Sequence, residues 1–395
     1  MFRRSLPFTI VFGLVFLGTN RFAGISSSAY RESAADTYIF EEIGELKSAR
    51  YEHTAEFLPD SRVLFIGGFA TFSSDATPDS EIYDPATGGL TYSDHLYYNR
   101  QWHSSMALQN GRILVTGGGH KTAEEYNPMT GEFYPVGAMS NLLFEHPSVR
   151  LQEGTVLILG GSGNANIFSD VESYNPYTGT FTMVGKLNEK RNGHTATQLS
   201  DGRILITGGA GNDISRTAEI YDPATNASTY TGMMTENRFI HTATLLLDGT
   251  VLIVGGSNGR NVPDDILDSA EVYDPKTGAF MKVGNLNHKR MRHTATLLPS
   301  GKVLILAGED RNTFLATAEV YDPLTQQFRV VGSLARARWG FTATLLKDDT
   351  VLVAGGVVKD PDGIPFPNEI TNSIELITLP ELKRIYLPST LGSGN

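Results

Sequence analysis

Arginine, histidine and glutamate recur in this chain at fixed intervals. Those three side chains are the ones that could grip an anion, hold a metal or move a proton. Arg50, Arg100, Arg191, Arg238, Arg290 and Arg338 each stand three residues before a common slot. That slot holds His53, His103, His194, His241 and His293, and in the last copy Phe341. One further copy keeps His146 but has Leu143 in place of the arginine. Glu81, Glu124, Glu172, Glu219, Glu271, Glu319 and Glu375 complete the set. The bidentate chemistry of arginine allows two outcomes: a repeated Arg–Glu pairing between strands or repeats, or a cationic collar that receives an acidic ligand. The six histidines invite a metal site. One per repeat, however, spaces them apart, whereas three ligands must converge. A hydrogen bond that fixes the start of each repeat is the expected role, with no metal and no cofactor.

Departures from the repeat carry more information than its regular members. Trp102 and Trp339, the chain's two tryptophans, both fall in the short segment between the arginine and the histidine slot. A partly exposed tryptophan there can stack on a sugar ring or an aromatic partner. Arg100, Trp102, Arg338, Trp339, Phe341 and His120 are therefore the candidate binding residues, and no catalytic residue is assigned. Asp264, Asp265, Asp268, Asp360 and Asp362 are acids of long loops. Their spacing matches no EF-hand loop, so solvated surface acids are expected.

The elements that position these residues follow from the rest of the repeat. Glycine pairs fall at Gly67-Gly68, Gly117-Gly118, Gly160-Gly161, Gly208-Gly209, Gly255-Gly256 and Gly355-Gly356, with Ala307-Gly308 in the sixth copy. Successive spacings are 50, 43, 48, 47, 52 and 48. Each copy reads as four short strands. His-Thr-Ala-Thr-Leu-Leu and Lys-Val-Leu-Ile-Leu are joined by a glycine turn, and Ala-Glu-Val-Tyr ends at Asp-Pro, where the ladder loses a donor. A strand of the type Phe-x-x-Val-Gly follows, and no segment has sustained helical periodicity. The glycine pair, the Glu-x-Tyr-Asp-Pro and the aromatic strand after it resemble kelch repeats over about residues 38–380. That resemblance implies an all-β fold: a seven-bladed kelch-type β-propeller with four antiparallel strands per blade.

Closure is legible as well. Phe181, Gly185 and Arg191 stand at the same intervals as Phe280, Gly284 and Arg290, and as Phe40, Gly44 and Arg50. The last of these sets has no blade before it, and no such strand follows Glu375. Residues 37–46 are thus expected to complete the seventh blade and remove two free edges. The glycine and Asp-Pro turns share one face of such a ring. The loops after the glycine pairs lie on the other, with lengths of 12, 5, 10, 9, 14, 10 and 18 from blade 1 to blade 7. Long loops on the neighbouring blades 7 and 1 mark that face for binding.

Bulk composition narrows the partners. The formal charge is −11, and residues 1–29 contribute three arginines and no acid. Such a surface disfavours nucleic acid and anionic membranes. The chain has no cysteine, which removes disulfides and thiol chemistry. It also removes the tyrosine–cysteine copper-radical site that a resemblance to the propeller of galactose oxidase would bring. Gly255-Gly256-Ser257-Asn258-Gly259 spells Gly-x-Ser-x-Gly, but it sits on a glycine pair at a strand end with no helical pattern after it, so it forms no nucleophile elbow. No His-Glu-x-x-His helix or phosphate loop is present. Met1-Phe-Arg-Arg followed by an apolar run from Leu6 to Leu17 reads as a signal peptide ending near Ser27-Ser28-Ala29, or as an N-terminal anchor. The expected domain plan is a signal segment over 1–29, a linker over 30–36, the propeller over 37–380 and a tail over 381–395. The expected function is a secreted or periplasmic, monomeric scaffold that binds a protein or glycan through its long-loop face. The alternative is an enzyme acting on a sugar, resembling the periplasmic kelch sialic-acid mutarotase.

Overall fold

The computed structural model describes residues 37–72, 76–259, 265–311, 313–359 and 369–380. The proposed signal segment, the linker up to residue 36 and the tail from 381 lie outside them. Among the described residues there is no helix, and the strands form seven four-stranded antiparallel units. Blade 1 consists of Thr54–Phe57, Val63–Ile66, Ser80–Asp84 and Gly89–Tyr92, paired in that order. The innermost strand of each blade lies against those of the blades before and after it, and Thr342–Leu345 of blade 7 meets Thr54–Phe57 of blade 1. The strands therefore close into a ring.

Burial explains the residue pattern. The second strand of every blade is mostly apolar because both of its faces are covered by neighbouring blades, and Val63–Ile66, Val251–Val254 and Val303–Leu306 are wholly buried. The hydrophobic clusters are shared between neighbouring blades. Leu64 and Ile66 of blade 1, for example, pack with Ile113, Val115 and Tyr126 of blade 2. The cluster that joins Val63 and Phe65 to Leu352 and Ile374 performs the same function between blades 1 and 7.

The N-terminal strand Ile39–Glu45 pairs antiparallel with Ser373–Thr378, setting Phe40 opposite Ile377 and Glu42 opposite Glu375. It supplies the outer strand that blade 7 lacks, as its Phe-Gly-Arg spacing implied.

Candidate functional site

The six regular arginines are among the most deeply buried side chains of the chain. In each blade that has one, the guanidinium donates to the carbonyl seventeen residues on, at the first position of the glycine pair. Arg50 reaches Gly67 at 3.0 Å, Arg238 reaches Gly255 at 2.9 Å and Arg338 reaches Gly355 at 3.0 Å. The same groups pair with the blade's glutamate: Arg50–Glu81 at 2.7 Å, Arg100–Glu124 at 2.9 Å and Arg338–Glu375 at 2.6 Å. The carboxylate in turn accepts a backbone N–H from the segment arriving from the preceding blade, as Thr235 to Glu271 and Ala335 to Glu375 at 2.7 Å. Glutamate is therefore a strut between blades, and arginine neutralises it there. This corrects the expectation of a cationic collar: Arg100 and Arg338 are wholly buried and ion-paired, so a ligand cannot touch them directly.

The second glycine of each pair ties the ring together. Its N–H donates to the carbonyl three residues before the next blade's histidine slot, from Gly68 to Arg100 through to Gly356 to Arg50, at 2.8 Å for both. At Gly256 the φ is +91°, and a Cβ would stand 2.8 Å from Phe239 O and from His241 Cβ. Only glycine fits there.

The histidines lie just beneath the mouth of the channel. Their Nε2 atoms meet threonine hydroxyls of the preceding blade: His103 with Thr54 at 2.9 Å, His293 with Thr242 at 2.9 Å, His53 with Thr342 at 3.2 Å, and His146 with Thr116 at 3.0 Å. His241 meets Thr195 and Thr207 of blade 4. Burial, reinforced by the neighbouring arginine, depresses their pKa to about 3 for His103, His241 and His293 and about 4 for His146. These five are neutral struts, whereas His194 has no such threonine.

Directly before the histidine slot stands a residue that sequence reasoning did not single out as a set. It is Glu52, Trp102, Glu145, Gly193, Ile240, Arg292 and Gly340 in blades 1 to 7, and all seven have a left-handed backbone, with φ between 49° and 66°. Five of the seven are not glycine, and one is β-branched. Holding such residues at positive φ costs roughly 1–3 kcal/mol each, and strain of this kind clusters at functional sites. The two glycines of the slot were the available sequence signal. All seven line a cavity of about 370 Å³ at the axis, whose floor is the ring of His53, His103, His146, His194, His241, His293 and Phe341.

Within that cavity Arg292 donates to Glu52 at 2.7 Å, meets Glu309 at 3.2 Å and lies with its guanidinium 4.8 Å from the centre of the Trp339 ring. Asn192 Nδ2 donates to Glu145 at 2.7 Å. Burial raises the pKa of Glu52 and Glu145 adds repulsion, partly offset by Arg292. Glu309 is raised by burial as well. Aromatic rings run around the same rim. Phe314 meets Trp339 at 6.3 Å, Trp339 meets Tyr51 at 5.5 Å, Tyr51 stacks on Phe69 at 4.9 Å, Phe69 meets Trp102 at 5.0 Å, and Trp102 meets Phe144 at 6.1 Å. The arc spans blades 6, 7, 1, 2 and 3.

Of the six candidates from sequence, the structure brings Trp102 and Phe341 to the cavity wall. Trp339 stands behind Arg292 in the aromatic arc. Arg100 and Arg338 are interior, and His120 packs on Tyr98 at 4.6 Å, away from the cavity lining. Asp265 departs from its expectation as a solvated acid: it is buried and held by Arg311 of the next blade. Asp268 is exposed, while Asp264, Asp360 and Asp362 fall outside the described residues.

Residues 146–188, 239–287 and 291–335 match the Kelch motif family. Together with the ring of four-stranded blades, this makes the chain a kelch-repeat β-propeller. No curated protein matches it. Among solved structures it is similar to a fungal alcohol oxidase of the AA5 family determined in complex with copper, with a TM-score of 0.72 and 19% identity over 88% of this chain and 77% of that one. At that identity the likeness describes the propeller. The copper chemistry finds no donor set here: the sequence has no cysteine, and no group of three His, Asp or Glu among the described residues is placed to share a metal.

Proposed function

We propose that this propeller acts outside the cytoplasm and binds a glycan at the channel mouth on its long-loop face. The observation that carries this reading is the strained, irregular slot at the mouth. There the repeat gives up its regularity to present Glu52, Trp102, Glu145 and Arg292 around a cavity of about 370 Å³. Carboxylates and a guanidinium match the hydroxyls of a sugar, and an indole covers its apolar face. A screen of the purified chain on a glycan array tests it. A defined hit that Trp102→Ala weakens supports the mouth as the site. A blank array transfers the proposal to a protein partner on the same face, to be sought by pull-down from exported proteins.

A second reading, catalysis on a sugar, draws on Glu52, whose carboxyl burial raises toward the range useful for proton transfer. Loss of sugar anomerisation, followed by NMR, on Glu52→Gln is its test. Sialic acid fits this mouth poorly, because its carboxylate would meet Glu52 and Glu145.

A further inference from the structure

The charge of the mouth and one orphaned histidine together narrow the ligand. Glu52, Glu145, Glu309 and Asp265 stand near the rim against Arg292 and Arg311. Both cations are engaged, Arg292 by Glu52 and Glu309, and Arg311 by Asp265. Neither of these two guanidinium groups is left over to receive an anion, whereas Glu145 has the amide of Asn192 as its side-chain partner.

His194 is the second observation. It is 6% exposed, it lines the cavity, and neither of its ring nitrogens meets a side chain; the Leu159 carbonyl is its one backbone contact. The cause lies in the preceding blade. The other five histidines find a threonine hydroxyl either just after that blade's own slot residue or just before its glycine pair. In blade 3 those two places are Pro147 and Leu159. His194 is thus a neutral imidazole lining the cavity without the threonine partner of the others and with one ring nitrogen unmet, on the same side of the ring as Glu145. A buried unpaired polar group costs about 1–3 kcal/mol and calls for an explanation.

We propose that the mouth takes a sugar bearing a free ammonium group, the ammonium seated against Glu145 and Glu52 beside the Trp102 ring and a ligand hydroxyl completing His194. The sugar part rests on the glycan reading above. The ammonium part rests on the surplus of carboxylates and on the indole, whose face attracts a cation.

Calorimetric titration of the purified chain with three probes tests it: a β-1,4-linked glucosamine tetramer, its fully N-acetylated counterpart, and trilysine. The glucosamine tetramer is expected to bind at least about tenfold more tightly than the acetylated one, the worth of one charge-assisted hydrogen bond. Glu52→Gln with Glu145→Gln should abolish that preference. Pro147→Thr gives His194 an internal partner, so it should raise the melting temperature while weakening the glucosamine tetramer several-fold. Equal binding of both tetramers overturns the ammonium requirement and leaves the glycan reading standing. Binding of trilysine alone supports the ammonium site and overturns the glycan reading. Silence from all three probes, or unchanged affinity in the Gln variants, overturns the proposal.

Discussion

One glutamate among seven lacks its guanidinium. Glu172 sits in the blade where Leu143 replaces arginine, and it is held by Ser140, whose N–H reaches both carboxylate oxygens at 3.0 and 3.1 Å. Burial raises its pKa. A carboxyl whose folded pKa lies above its unfolded one opposes folding once pH exceeds the unfolded value, so removing its charge relieves the fold at neutral pH. Glu172→Gln is expected to change neutral-pH stability by less than about 1 kcal/mol or to raise it, whereas Arg238→Leu, which strands Glu271, should cost about 3–5 kcal/mol. Urea unfolding of both variants checks the contrast, and equal losses would refute it. At this scale the sequence announced the partners but not their exposure. Arg-Glu spacing is the same whether the pair faces solvent or the interior. Burial depends on blade-to-blade packing that no local window contains. Apart from Trp102, the slot residues of the mouth were hidden for a related reason: a slot that varies in chemistry while keeping one backbone conformation shows no pattern in residue type.

Strands and their connections carry the second set of consequences. The neutral histidines at the inner-strand starts have folded pKa values near 3 to 4 against 6.5 unfolded. Their contribution is complete above about pH 6.5 and is lost as pH falls toward 4, at up to about 1.4 kcal/mol per pH unit for each. Glu56, raised to about 6, works in the opposite direction over the same window. With at least four histidines against it, the net slope stays positive. Denaturant midpoints measured at pH 7.5, 6 and 5 should fall steeply, and a flat profile would mean that the histidines are not held neutral. The glycine pair is as unforgiving. Gly256→Ala combines positive φ with contacts of 2.8 Å on two atoms, and should lower stability by about 2 kcal/mol or more by thermal melting. These elements were readable in the chain because each conformational demand, a left-handed glycine or an Asp-Pro turn, selects a residue type.

Over the whole molecule, stability depends on a bond between the two ends of the ring. Ile39–Glu45 lies along Ser373–Thr378, and Gly356 N–H reaches back to the Arg50 carbonyl. Removing residues 1–46 should expose the edge of blade 7. The melting temperature is expected to fall by ~10 °C or more, with association through that edge visible on size-exclusion chromatography. A synthetic peptide of residues 37–46 should restore the monomer. An unchanged melting curve would show that the ring holds without its clasp. This arrangement was predictable because Phe40, Gly44 and Arg50 repeat an interval found at blade ends. Which residues face the axis was less so, since it depends on how seven sheets tilt around it. The clasp also governs how the protein is made. A ribosome delivers residues 39–45 more than 300 positions before the strand they bind, so the earliest strand waits through the synthesis of every other. Blades can form as they emerge, but the last step joins the oldest and youngest parts of the chain. That step has the largest loop-closure cost in the molecule. Translation that stops short of residue 378 leaves a product with an unpaired strand at its start, already marked for capture by chaperone or protease.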